Sequence, residues 1–324
     1  MIAQFRSHLK EIFLAGFLGF APGLALENTN IAAYDELYRI TDFNRLRADL
    51  TLEHDRYHNF FARLMVDNTT LYISRSGSLG NTTAIYRGYV QYRGVSNFWS
   101  IGRQRIPLGV GRIWNPIDVF NPIDSQAIEP EERAGTESLR YEYALSELAN
   151  LDATVAQHAG AIRLKGFLDF ADVAMVAIFD DRNHEDILGW ELEGQLLETG
   201  IELRSEGGSF HDRLTGNRHT EFILGAEYGF ANSLTLLTEY RYCGKNSLSH
   251  LGIQVSYTPG MLLEYHLLMV RNLDDQSGFF APSIEYSLSD EMTLSGGAFL
   301  YYGSGFDEFA SLPDRYYLRW FIHF

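Results

Sequence analysis

The stretch GRQRIPLGVGRIWNPIDVFNPIDSQAIEPEERAG, residues 102–135, decides how this chain is read. Pro107, Pro116, Pro122 and Pro130 each remove a backbone donor and fix φ, and each turns its preceding residue away from the helical region. The tetrapeptide Asn-Pro-Ile-Asp occurs twice, at 115–118 and 121–124. Neither a strand nor a regular helix can run through such a segment. A connection this long without regular structure is uncommon inside a compact domain and is usually functional. Its flanks set its role, because they read as short alternating strands on both sides. The expectation is an all-β protein, a transmembrane antiparallel β-barrel, whose long loop folds into or over the lumen and narrows a pore.

The alternation carries the barrel. Leu46, Ala48, Leu50 and Leu52 interleave with Arg45, Arg47, Asp49, Thr51 and Glu53. Tyr86, Gly88, Val90 and Tyr92 interleave with Arg87, Tyr89, Gln91 and Arg93; Trp190, Leu192 and Gly194 interleave with Glu191, Glu193 and Gln195. Successive residues of a strand face opposite sides, so each segment has one apolar face and one charged face. A soluble sandwich alternates too. Two details favour the barrel. Charges recur in mid-strand on one phase, as a water-filled lumen requires. Tight turns such as 146–150, 198–200, 230–233, 258–260 and 289–291 also alternate with longer polar stretches at 207–220, 243–249, 272–278 and 303–313, the habit of outer-membrane barrels. Many Tyr, Phe and Trp fall near strand ends, where interfacial girdles would lie. Counting back from the C terminus gives about eighteen strands starting near residues 33–40, with sixteen as the second count because that first segment alternates poorly. At either count the barrel is wide enough for an aqueous interior.

Residues 1–25 read as a secretory signal, removed in the mature chain, leaving 26–324 as a single barrel domain. Arg6 and Lys10 form a basic start, residues 12–20 an apolar core, and Gly23-Leu24-Ala25 a cleavage site. No run of eighteen apolar residues follows, so no helix would span a membrane. The formal charge of −16 argues against nucleic acid. Lysine is confined to Lys10, Lys165 and Lys245, so the positive charge is nearly all Arg, whose fork suits a wall of fixed carboxylates. Cys243 is the single cysteine and cannot form an internal disulfide.

The inward phase assigns signs to the wall. Arg45, Arg47, Arg63, Arg87, Arg93 and Arg140 occupy it over the first third; Glu191, Glu193, Glu202, Glu227, Glu239, Glu264 and Glu285 occupy it over the rest. Opposed walls set a transverse field that orients solutes and filters ions; the alternative is mutual neutralisation by cross-strand pairs. The loop adds Arg103, Arg105, Arg112, Asp118, Asp124, Glu131, Glu132 and Arg133. Arg103 is placed at the rim or constriction, its phase depending on whether Gly102 carries a bulge. The candidate pore-lining set is therefore these loop residues with Arg87, Arg93, Arg140, Glu191 and Glu193. The loop's Ile113, Trp114, Ile117, Val119, Phe120 and Ile123 would either plug the lumen or pack on its wall. No metal site is expected: the repeated Asn-Pro-Ile-Asp lacks the spacing of a calcium loop and reads as Asp-capped Asn-Pro turns. No cofactor motif is present, and His219, His250 and His266 have no adjacent serine in a recognisable arrangement, so no enzyme is expected.

Two resemblances refine this. The final strand, with Tyr316, Leu318, Trp320, Ile322 and Phe324 on one phase, resembles the carboxy-terminal strand of Gram-negative outer-membrane proteins. That resemblance implies an assembly signal at Phe324, the barrel-assembly machinery and the lipid bilayer as partners, and an outer-membrane location. Arg87-Gly88-Tyr89-Val90, Gly102-Arg103-Gln104, Trp114-Asn115-Pro116 and Leu139-Arg140-Tyr141 resemble a group of outer-membrane porin-like proteins that includes the alginate-export type. That resemblance implies a passive channel for ions or small polar solutes. A plugged barrel serving as an interaction protein and a dedicated exporter are the other readings, and the oligomeric state is open.

Overall fold

A computed structural model describes residues 20–37, 39–54 and 59–324. Among them eighteen strands pair in one antiparallel sheet that closes on itself, β1 bonding both β2 and β18 and every other strand its sequence neighbours. The strands are β1 (Phe20–Asp35), β2 (Arg39–His54), β3 (Phe60–Ile73), β4 (Ser78–Arg93), β5 (Asn97–Gln104), β6 (Thr136–Ser146), β7 (Ala149–Ala156), β8 (Ala159–Phe167) and β9 (Ala171–Asp180). They continue as β10 (Glu185–Gln195), β11 (Ile201–Asp212), β12 (Arg218–Gly229), β13 (Leu234–Cys243), β14 (Leu248–Tyr257), β15 (Leu263–Asn272), β16 (Gly278–Ser289), β17 (Met292–Tyr302) and β18 (Arg315–His323). No described residue is helical.

The barrel is inside out relative to a soluble protein. Leu46, Ile101, Val155, Ile162, Met175 and Leu188 stand exposed on its outer face, while Arg47, Asp67, Glu191, Arg204 and Glu239 are buried within. An apolar belt this continuous is stable only against lipid or another apolar surface. Aromatic pairs Phe60–Tyr92, Trp99–Tyr141 and Tyr257–Tyr265 ring the end that carries the short turns.

Three sequence expectations are corrected. Eighteen strands stand, but the first is Phe20–Asp35; the expected start at 33–40 is the hairpin end, with Glu36 and Leu37 in a turn and Arg39 opening β2. The long stretch at 207–220 is mostly strand, leaving 213–217 as its loop, because Gly207 and Gly208 continue the ladder to β12. Long-loop and short-turn rims therefore differ mainly through residues 105–135 and 303–314. Tyr86 faces inward beside Arg87, not outward, because the β3–β4 register shifts at Met65/Val66 and absorbs one residue. The expected signal segment lies outside the described residues up to 19; β1 residues 20–25 pair with β2 alone, whereas from Glu27 onward β1 pairs on both sides.

Wall height positions the loop. β1, β2 and β4 are each 16 residues long, while β5 and β7 have 8. At about 3.3 Å per residue, β5 climbs only about 26 Å along its own tilted path before the chain leaves it. Residues 105–135 thus start from the low wall and turn into the lumen. Gly102 permits the last turn of β5. Its φ is +124°, and a Cβ there would collide with the Gly88 carbonyl oxygen.

Candidate functional site: the loop-lined lumen

The loop is fastened to the wall through its own backbone. Irregular chain buried in a barrel has N–H groups that no ladder satisfies, and each needs an acceptor. Three inward carboxylates supply them. Glu191 of β10 accepts the Gly109 N–H at 2.9 Å. Glu206 of β11 accepts from Val110 and, at 2.8 Å, from Gly111. Glu239 of β13 accepts from Arg112, Ile113 and Trp114 at 2.6, 2.9 and 3.2 Å. All three carboxylates are buried. Gly109, at φ +83°, lets the main chain settle on Glu206; a Cβ there would lie 2.5 Å from its Oε2.

The opposite wall holds the returning half of the loop with the reverse polarity. Arg45 of β2 donates to Glu129 at 3.2 Å and Arg47 donates to Glu132 at 2.9 and 3.0 Å, while Arg47 also forks onto Asp67 of β3 at 2.7 and 2.9 Å. Tyr86 lies under the Arg47 guanidinium, 4.0 Å from carbon to ring centre, and its hydroxyl donates to the Arg133 carbonyl at 2.9 Å. Arg315 donates to the Gln126 carbonyl, and the Tyr301 hydroxyl to the Gln126 side chain at 3.1 Å.

Apolar contacts complete the seating. Ile106, Leu108, Ile117 and Phe120, with Val119 beside them, pack on Ala161, Val176, Ile178, Ile187 and Phe210 of β8 to β11. Ile113 and Trp114 pack into a second cluster with Ile223, Leu237, Val270, Phe279 and Phe299. These loop side chains lie on the wall. Where a barrel strand would carry a lumen charge, the wall here carries an apolar residue, so the loop's footprint is written into the inward phase itself.

The sequence-selected residues fall into distinct places. Arg112 and Glu193 face each other at 3.2 Å with substantial exposure. Glu131 is largely exposed, its side chain 83% accessible, with Arg105 at 3.9 Å and Arg133 at 3.8 Å. Arg87 lies over Tyr86, and Arg93 is exposed near Phe98 at the short-turn end. Arg140 is tied to Asp152 at 2.7 Å and Glu142 at 2.6 Å, and Glu132 and Glu191 are anchors of the loop. Arg133 donates to the Asn121 carbonyl at 3.1 Å. Asp118 is buried as a turn cap, accepting from Phe120 and Asn121 at 3.1 and 2.8 Å. Asp124 caps the second turn through Gln126 N–H at 2.9 Å. Arg103 shares the phase of Trp99 and Ile101, its Nε reaches the Gly135 carbonyl at 3.1 Å, and it borders a cavity with the loop's Val119 and Phe120. Gly102 produces no register shift, so the phase continues through it. Phe324 closes the seam, exchanging backbone hydrogen bonds with Leu26.

The two-sign wall is largely converted into ion pairs. Arg63 meets Asp49 at 2.6 Å, Arg163 meets Glu191, and the buried Arg204 meets Glu227, Glu202 and Glu193 at 2.7, 3.2 and 3.6 Å. Sequence reasoning missed Arg204, Glu206 and Glu129. The signal for the first two was present: Glu202, Arg204, Glu206 and Phe210 share one phase of the β11 sequence. Among the described residues no group of three His, Cys, Asp or Glu is arranged to hold a metal ion.

No protein-family model matches the sequence, and no curated protein matches it. Solved structures do resemble its fold. Pseudomonas aeruginosa OccK5 (OpdH) aligns with a TM-score of 0.66 at 10% identity over 94% of this chain and 97% of that one. Acinetobacter baumannii OccAB4 aligns at 0.63 and 10% identity over 95% and 98%. Salmonella typhi OmpF, solved with daunomycin, aligns at 0.56 and 13% over 94% and 98%, and a Rh. blastica porin at 0.54 and 11% over 94% and 100%.

Proposed function

We propose that this chain is a passive outer-membrane channel for ions or small polar solutes, restricted by residues 102–135, with lumen Arg and Glu side chains setting its selectivity. The observation that carries the reading is the way the loop is held. Its backbone is clamped by Glu191, Glu206 and Glu239, and its apolar side chains lie against the wall, so it forms a fixed ledge inside a charged interior. A fixed ledge with exposed Arg112, Glu193 and Glu131 is what a selective constriction requires. The porin among the similar folds supports the same class.

The outer-membrane location rests on the apolar belt, the aromatic rings and the strand ending in Phe324. Cleavage after Ala25 would leave Leu26 as the first residue of a β1 that still bonds β2 and β18 along its length, so export and barrel closure are compatible. The finer resemblance to the alginate-export type finds less support, because Arg45, Arg47, Arg63, Arg140 and Arg204 are engaged by carboxylates and offer little to a polyanion. One observation favours a plugged barrel instead: the loop touches both the Glu239 side and the Arg47 side of the lumen. Planar-bilayer recording of the refolded mature chain separates the two. The channel reading expects steady single-channel currents; a folded but silent barrel would point to the plug.

A further inference from the structure

Two cavities inside the barrel abut the same short piece of the loop. The first, of about 510 Å³, lies toward the long-loop rim and is bounded by Asp35, Thr41, Phe43, Arg45 and Arg315. The second, of about 330 Å³, lies toward the short-turn end and is bounded by Gln254, His266, Glu285, Tyr317 and Arg319. Ala127 and Ile128 line both. The partition between the chambers is therefore residues 126–129, two side chains wide, with a bare methyl group at Ala127. It is strung between fixed points. Gln126 is held by Tyr301 and Arg315, and Glu129 by Arg45 at 3.2 Å and Arg319 at 3.7 Å. Ile128 also packs against the second apolar cluster of the wall, and at Ala127 a chamber stands on each side of the loop.

We infer that solutes cross the loop at residues 126–129, between these chambers, and that the chamber on the short-turn side selects small amine-bearing solutes, cationic or zwitterionic. This rests on the channel reading above. The charge balance of the second chamber gives the class. Glu131 and Glu285 face it with exposed carboxylates, and its His266 leans on Glu264 at 3.3 Å. The opposing cation, Arg319, is already shared between Glu129 at 3.7 Å and Glu285 at 3.8 Å. Two carboxylates and one guanidinium line this chamber, and Glu131 stays largely exposed although Arg105 and Arg133 lie 3.9 and 3.8 Å from it, so an entering ammonium group meets more acid than base. Leu268, Ala281 and Phe299 supply an apolar side for a short hydrocarbon portion.

The test uses the full mature chain with the buried Cys243 replaced by alanine, carrying Ala127→Cys, in planar bilayers. Charged methanethiosulfonate reagents serve as probes. The expected result is a stepwise fall in current as the introduced thiol is modified, faster with a positively charged reagent than with a negatively charged one. Complete modification by mass spectrometry with unchanged current would overturn the route. If Ala127→Cys does not refold, Ser125→Cys carries the same test from the second chamber. Reversal potential in a salt gradient tests the class: the parent should prefer cations, and Glu131→Gln with Glu285→Gln should bring the preference toward none. An anion-preferring parent overturns the class while the channel stands; a silent parent overturns the channel reading itself.

Discussion

Glu239 illustrates what a single residue does here. Both of its oxygens accept backbone N–H groups of residues 112–114, and among the described residues no other carboxylate of the wall holds as many consecutive donors. Hydrogen bonds to a charged acceptor contribute about 1.5–3 kcal/mol each, and a buried donor left without a partner costs about 1–3 kcal/mol. Glu239→Gln keeps one carbonyl acceptor and presents an NH₂ to the remaining donors. It is expected to lower stability by about 2 kcal/mol, read as a fall in the urea midpoint of the refolded barrel, and to add noise to the open current. Gly102 makes a backbone argument instead: Gly102→Ala forces a side chain onto a positive φ and against the Gly88 carbonyl, at a cost of about 1–3 kcal/mol, expected as reduced refolding yield. These roles differ in legibility. Glu239 was readable as inward from its phase, yet its partner is a main-chain segment 125 to 127 positions away, which no local pattern announces. Arg103 was legible as a charge but its phase was not, since a glycine next to it leaves open whether the phase slips.

At the scale of elements, the alternation determined most of what could be read. The strands, their faces and the irregular loop all follow from period-two patterning and from four prolines within one stretch. Strand ends did not, because a Gly-Gly pair in β11 reads as a turn until the partner strand's ladder is known. The loop between β17 and β18 gives a separate prediction. Glu308 is gripped by the His250 ring at 2.7 Å and by Asn272 at 2.7 Å, and its own N–H donates to Asp275. The hydrogen bond from His250 holds the Glu308 carboxyl below its ordinary range. A lowered carboxylate contributes stability that is full above its ordinary pKa and is lost as pH falls through the lowered value. Acidification below the usual carboxylate range is therefore expected to loosen residues 303–314. Limited proteolysis as a function of pH checks this: cleavage in that loop should rise at acid pH, and Glu308→Gln should show the higher susceptibility already at neutral pH.

The whole molecule is a closed sheet whose charged interior is engaged twice over, once by cross-strand pairs and once by the loop. Its low wall at β5 delivers the loop into the lumen, its acid side takes the loop's backbone donors, and its basic side takes the loop's carboxylates. Opposite polarity on the two walls thus orients the loop across the lumen, a use of the sign pattern beyond the field on solutes and the cross-strand pairing that the sequence suggested. The central claim is that this loop, and not the barrel wall, limits passage. The measurement that addresses it most directly compares single-channel conductance of the mature chain with that of a chain in which residues 108–130 are replaced by a short Gly-Ser linker, both verified as folded barrels. The account predicts steady current in the first and a severalfold larger current in the second, since conductance follows the narrowest cross-section. Equal conductance in the two folded proteins would contradict it.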